Sequence, residues 1–419
     1  MRIERPAGII AGVQAGHKPD SSKMRYKRRD FLKLSSAGLA LAPGALLNAS
    51  EKFQEAEGEH RLVVLQLTGG NDGLNTVAPF EDDLYHRSRP ALAIPKARAL
   101  RLDGSSEMGL HPSMEGLQAL YKEGHLAVIQ GVGYPDPDRS HFRSMDIWHT
   151  ANPSIAAREK GWLGKALEKK PSTLSGIHIG NEALPLAFNG ERHVASIQNL
   201  DFIELLSSGK GAKLKKIMRA ANEQPRTGRP GYVRGLANET LDSLDKILSV
   251  SRNPLPVEYP DSELGRRLKL AGQMVSGGYP ARILYLSQGG YDTHARQGDV
   301  HTTLLGDLSA ALTAFYRHVE KTGAAERVTV MVFSEFGRRV KENASLGTDH
   351  GCAAPMFLLS GKIKGGLHGP TPDLSNLDRG DLRFTIDFRR VYATLVEELF
   401  RIDSKKLLGG SFDKLELFA

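Results

Sequence analysis

Short, unbroken apolar runs, each closed by glycine and polar residues, constrain this chain more than any other feature. Leu62–Leu67 leads into Thr-Gly-Gly-Asn-Asp-Gly, Leu126–Gln130 into Gly-Val-Gly-Tyr-Pro, and Ile283–Ser287 into Gln-Gly-Gly-Tyr-Asp-Thr-His. Val328–Phe333 leads into Ser-Glu-Phe-Gly-Arg, and Pro355–Leu359 into Ser-Gly. Runs of this length without polar alternation suit strands buried on both faces, as in a parallel sheet. Between them lie helical patterns. Leu304–Val319 carries Leu308, Leu312 and Phe315 on one stripe, and Phe388–Phe400 repeats Val391, Leu395 and Leu399 at four-residue spacing. Strand and helix in alternation predict a doubly wound α/β fold. Ligands bind such sheets beyond the carboxyl ends of the strands, where the polar clusters fall.

The first 49 residues read as a leader. Lys27-Arg28-Arg29-Asp30-Phe31-Leu32-Lys33 precedes a short, weakly apolar run to Leu47. That is the layout of a secretory signal, and the paired arginines resemble a twin-arginine signal. Such a leader implies a folded passenger, the twin-arginine translocase as a partner during export, and a periplasmic or otherwise exported destination. Translation is expected to begin at Met24, which brings the arginine pair close to the N-terminus. Residues 50–60 read as a linker and 61–419 as the folded domain. A helical insertion is expected around 205–265, where charge and proline increase.

Charge and cysteine narrow the chemistry. The net charge is +8, but residues 1–49 hold nine basic and three acidic residues, so the remainder is nearly neutral. A near-neutral body gives no electrostatic reason to invoke nucleic acid. No apolar stretch is long enough to span a membrane, so the mature form is expected to lack a stable span. The single Cys352 forms no intrachain disulfide and builds no cysteine-rich zinc site, so any metal falls to His, Asp and Glu.

Four segments carry candidate chemistry. Gly69-Gly70-Asn71-Asp72-Gly73 follows the first run; its glycines permit a turn that exposes Asp72, or Asp72 caps a helix. In Asp138-Arg139-Ser140-His141-Phe142-Arg143 a helix can begin after Ser140. Ser140 is then either an N-cap or a nucleophile whose charge the helix N-terminus and a metal favour. Asp292-Thr293-His294 offers two hard ligands, or is a solvated loop. Thr348-Asp349-His350-Gly351 and Leu367-His368-Gly369 set further ligands among glycines. Together Asp72, Asp292, His294, Asp349, His350 and His368 suit divalent zinc, manganese or similar ions. Arg139, Arg143 and Arg338 are candidates for binding substrate oxygens.

The Thr-Asp-His-Gly element resembles the metal pair of alkaline phosphatases, sulfatases and cofactor-independent phosphoglycerate mutases. Within that superfamily the chain most resembles the DUF1501 family. The likeness rests on Leu-Thr-Gly-Gly-Asn-Asp-Gly-Leu-Asn-Thr, Arg-Ser-His-Phe, Gly-Tyr-Asp-Thr-His, Ser-Glu-Phe-Gly-Arg, Gly-Thr-Asp-His-Gly and Thr-Ile-Asp-Phe-Arg-Arg-Val-Tyr-Ala-Thr. It implies an alkaline-phosphatase-like three-layer sandwich with a mostly parallel central sheet. It also implies an exported hydrolase of phosphate or sulfate esters, with two divalent ions. Asp72, Asp349 and His350 would hold one ion beside a nucleophilic Ser140; Asp292, His294 and His368 would hold the other. Two features depart from the superfamily. Asp292 and His294 have one residue between them where the superfamily commonly spaces such a pair by three. Asp349-His350 comes well after its strand, which makes Glu335 an alternative ligand. The rival readings are a non-catalytic exported binding or assembly protein with a partial metal site, and a hydrolase that uses a metal-bound water in place of Ser140.

Replacing Arg28 and Arg29 by lysine is expected to hold the protein in the cytoplasm; cell fractionation checks this, and undiminished export removes the signal assignment.

Overall fold

The computed structural model describes residues 60–418 except 106, 155–158, 171–174, 198–204, 206–207 and 223–240. The leader and almost all of the linker lie outside the described residues. Strands β1 (Arg61–Leu67), β5 (Leu126–Gly133), β6 (Gly176–Ile179), β7 (Ala195–Ile197), β8 (Ile283–Gln288), β9 (Val328–Phe333), β10 (Ala354–Leu359), β11 (Gly366–His368) and β12 (Ile386–Asp387) form one sheet. Its order is β11-β5-β10-β9-β1-β8-β6-β7, with β12 also pairing β5. The short strands β2 (Val77–Ala78), β3 (Leu100–Arg101) and β4 (Gly109–Leu110) make a separate antiparallel sheet.

The apolar runs form strands because both sheet faces are covered. On one face Val63, Leu65, Leu284 and Val330 meet helices α1 (Glu115–Lys122), α4 (Glu263–Ser276) and α5 (Gln297–Lys321) through Leu117, Leu268, Leu308 and Phe315. On the other, Leu62, Val64, Tyr285 and Met331 meet α2 (His141–Thr150), α3 (Trp162–Lys169) and α6 (Phe388–Phe400). There the ring of Trp148 stacks on Phe388 at 4.3 Å and Trp162 on Tyr392 at 4.1 Å. The result is a three-layer α/β/α sandwich around a mostly parallel sheet. Within the expected 205–265 insertion, the described part contains helices at Gly209–Asn222 and 241–250. No described helix is long and apolar enough to cross a membrane.

The sheet is mostly parallel, as expected; strand β10 is the exception among the five runs, since it runs antiparallel to both β5 and β9. The reason is the connection. After β9 the chain makes no helical crossover; it rises past the sheet's carboxyl edge, turns back and descends beside the strand it left. The rising and descending arms pair above the sheet, with Arg338 bridged to His350, and Gly351 N–H donating to Gly337 O at 2.8 Å. Consequently Ser360-Gly361, which ends the β10 run, lies at the opposite edge, bonded to His125 and Ala325.

Gly69 has φ +118°, and a Cβ there would strike the backbone of Asp292. Gly104 has φ +87° with open space around its Cβ position. Gly104→Ala is therefore expected to cost about 1 kcal/mol of backbone strain, and Gly69→Ala at least about 2 kcal/mol. Urea denaturation of both variants checks the difference.

Candidate metal centre

The ends of three adjacent strands build the site. After β1, Gly69 N–H donates to Glu335 Oε1 at 2.9 Å and Asn71 N–H to Ser334 Oγ at 2.9 Å, which ties that turn to the end of β9. After β8, Tyr291 N–H donates to Thr68 O at 3.2 Å, which ties the Asp292 loop to the same turn. The segment after β5 contributes the start of α2.

Three imidazoles converge on one carboxylate oxygen. Nε2 of His141, His294 and His350 lie 3.5, 3.1 and 3.2 Å from Asp292 Oδ1. The opposite nitrogen of each ring faces an acceptor. His141 Nδ1 is 2.8 Å from Glu335 Oε1, His294 Nδ1 is 3.2 Å from Asp349 Oδ1, and His350 Nδ1 is 2.8 Å from the Arg139 carbonyl. Those acceptors put the proton on Nδ1 and leave an Nε2 lone pair pointing inward. Yet His294 Nε2 and His350 Nε2 are 2.9 Å apart. Two lone pairs and a carboxylate so close repel one another unless a proton or a metal cation lies among them. His141 Nε2 is also buried with no hydrogen-bond partner. Ligand atoms of His141, Asp292 and His350 all lie within 4.8 Å of one another, a spacing one metal ion can bridge. Histidine ligands whose far nitrogen is held by a carboxylate or carbonyl are the usual metal arrangement. The residues thus fit a divalent ion.

Protonation follows from these contacts. Glu335 beside its ring raises the pKa of His141. Burial lowers that of His350. Burial opposes ionisation of Asp292, but the Arg338 guanidinium, which donates to it, outweighs burial and brings the carboxyl down to about 2. A bond from Asn343 leads in lowering the pKa of Asp349, which is half exposed.

The sequence candidates are distributed differently from the expected two sets. Asp292, His294 and His350 come together, with Asp349 and Glu335 holding imidazoles from behind. Asp72 sits apart from this group. It is fully buried, paired with Arg89 at 2.6 Å and bonded by Gln297 at 2.5 Å. Burial opposes its charge, but Arg89 keeps its pKa below the usual carboxylate value. His368 bonds the Lys364 carbonyl at 2.7 Å on β11, three strand positions from β9, or about 14 Å at ~4.8 Å per strand. Arg338 is buried and bonds the carbonyls of Gly69, Gly70, Tyr291 and Thr348 together with Asp292, so it braces loops where substrate binding was expected. Arg143 bonds the Pro153 carbonyl at 2.9 Å. Arg139 is 40% exposed and pairs with the fully buried Asp381, which Arg339 also reaches at 3.2 Å. Ser140 occupies the N-cap position of α2, as expected, but its side chain makes no capping bond. His141 and Arg339 escaped the sequence reading. His141 lies inside Arg-Ser-His-Phe, where the adjacent serine drew the chemistry.

These motifs mark a single family. The chain belongs to the DUF1501 family. Its model, described as a protein of unknown function, matches residues 59–411. No curated protein matches this DUF1501 chain. Among solved structures it is similar to the zinc-complexed C-terminal periplasmic domain of EcEptC from Escherichia coli, at 12% identity over 73% of this chain and 75% of that one, TM-score 0.38. It is also similar to the PsFucS1 sulfatase from Pseudoalteromonas sp., at 13% identity over 86% and 71%, TM-score 0.37. A magnesium-bound mutant of TAB5 alkaline phosphatase matches at 10% identity over 72% and 92%, TM-score 0.34.

Replacing His141 or His350 by alanine is expected to lower bound zinc or manganese by more than about tenfold, while His368→Ala leaves it unchanged. Elemental analysis after dialysis distinguishes the two. A proton on His141 competes with the ion, and its pKa is raised, so affinity should rise with pH and fall on acidification.

Proposed function

We propose that this DUF1501 chain is an exported, metal-dependent hydrolase of phosphate or sulfate esters. The observation that carries the reading is the set of three inward-facing Nε2 lone pairs around Asp292 Oδ1. His141, His350 and Asp292 would hold the ion, with His294 beside them. When bound, the ion supplies positive charge and Lewis acidity next to the reacting ester.

The chain's own residues supply the rest. Ser140 lies between Arg139, whose carbonyl orients His350, and His141, whose ring meets Asp292. Ser140 is an exposed residue whose side chain makes no capping bond, which leaves its hydroxyl available as the attacking group. The N-terminus of α2 favours the negative charge that develops there. Arg139 and Arg339, both oriented by Asp381, are suited to the non-bridging oxygens of the ester. Arg339 also lies close enough to help lower the pKa of Asp349, which puts its charge beside the centre. Export through the twin-arginine translocase rests on Arg28 and Arg29 and accords with a folded, disulfide-free passenger.

Ser140→Asn tests the reading, because asparagine can cap a helix but cannot attack the ester. The expected outcome is unchanged thermal stability and metal content with hydrolysis lower by about 10³ or more. If the variant keeps most of the wild-type rate on a 4-nitrophenyl phosphate and sulfate panel, Ser140 is not the nucleophile.

A further inference from the structure

Two large apolar side chains stand in water on the segments that carry His141 and His350. Phe142 is 87% exposed and directly follows His141. Leu346 is 51% exposed and directly precedes Gly347, which packs so tightly on the His294 backbone that a Cβ would overlap it. Among the described residues Phe142 is far more exposed than the other large hydrophobics. Scattered exposed leucines need no explanation, but a bare phenylalanine next to a metal-ligating histidine does.

Leu346 adds a second anomaly. Its φ is +58°, a left-handed conformation that suits glycine or asparagine and that leucine seldom adopts. The loop imposes this geometry. Asn343 Oδ1 accepts from Ser345 N–H at 2.9 Å and Gly347 N–H at 3.1 Å, and the Leu346 carbonyl accepts from Gln297 N–H at 2.8 Å. A leucine held in an unfavourable conformation with its side chain outward gains nothing from the fold itself. Strain of this kind gathers at ligand-binding sites.

We propose that Phe142 and Leu346 are specificity residues that hold a ring-bearing alcohol portion of the ester, while its anionic head meets the metal centre and the Arg139–Arg339 pair. The proposal rests on the ester-binding reading above. A ring stacked on Phe142 removes both apolar faces from water, and offset aromatic stacking adds to that gain. The favoured substrates are therefore esters of phenols or ring alcohols, and esters of small aliphatic alcohols are poor ones.

Non-hydrolysable phosphonates test this without turnover. The zinc-loaded full chain is titrated calorimetrically with phenylphosphonate and methylphosphonate. Phenylphosphonate is expected to bind about tenfold more tightly, the scale set by one stacked ring. Phe142→Ala should bring the ratio close to one, and Phe142→Trp should keep it. Leu346→Gly relieves the left-handed strain, so it should fold at least as stably yet bind phenylphosphonate a few-fold less tightly, with methylphosphonate unchanged. Equal affinity of the wild type for the two ligands, binding of neither, or a ratio that survives both Phe142→Ala and Leu346→Gly overturns the proposal. Turnover separates the two readings. A ring preference that depends on Phe142, without cleavage of any aryl ester, removes the hydrolase assignment and keeps the binding one. Cleavage without ring preference does the reverse.

Discussion

Arg338 reaches from the loop after β9 beneath the turn after β1 to the loop after β8, and the candidate centre depends on that span. Its side chain is fully buried. A buried guanidinium is tolerable only when its donors are met, and here they meet four backbone carbonyls and the Asp292 carboxylate. Those carbonyls belong to three separate loops. The one interaction therefore closes the turn at Gly69-Gly70, orients Asp292, and clamps Thr348 beside the Asp349-His350 pair. Asp292 then becomes the point at which three histidines aim.

A second buried network lies behind the centre. Arg89 pairs with Asp72, and Gln297 links Asp72 to the hydroxyls of Thr293 and Thr348, each next to residues of the candidate site. Asp72 follows a strand and is flanked by glycine, as a metal ligand would be. In this structure Arg89 and Gln297 engage its Oδ2, while its Oδ1 is buried without a hydrogen-bond partner. Removing one partner of a fully buried pair leaves an uncompensated charge, so Asp72 matters to the centre through support of its loops.

The antiparallel β10 has a functional consequence. Because the chain returns along the sheet, residues 334–353 form two paired arms above the strand ends. One arm carries Glu335 and Arg338, and the other carries Asp349 and His350. This explains why the Asp-His pair does not follow its strand at once. It also explains Glu335, which faces His141 from the first arm and makes its Nδ1 the protonated nitrogen.

Local pattern determined much of this protein. Continuous apolar runs specify strands buried on both faces, and four-residue spacing specifies the helices that cover them. The glycine-flanked polar clusters at the run ends mark where chemistry collects, and Asp292, His294 and His350 stand in them. Only tertiary structure decided which candidates meet. His141 joins the centre because α2 begins directly above the strand ends. Asp72 instead pairs with the buried Arg89. His368 leaves it because β11 lies at the sheet edge. Spacing along a chain describes which residues share a loop, whereas a metal centre needs atoms from several loops within a few ångströms, and strand order and direction set those distances.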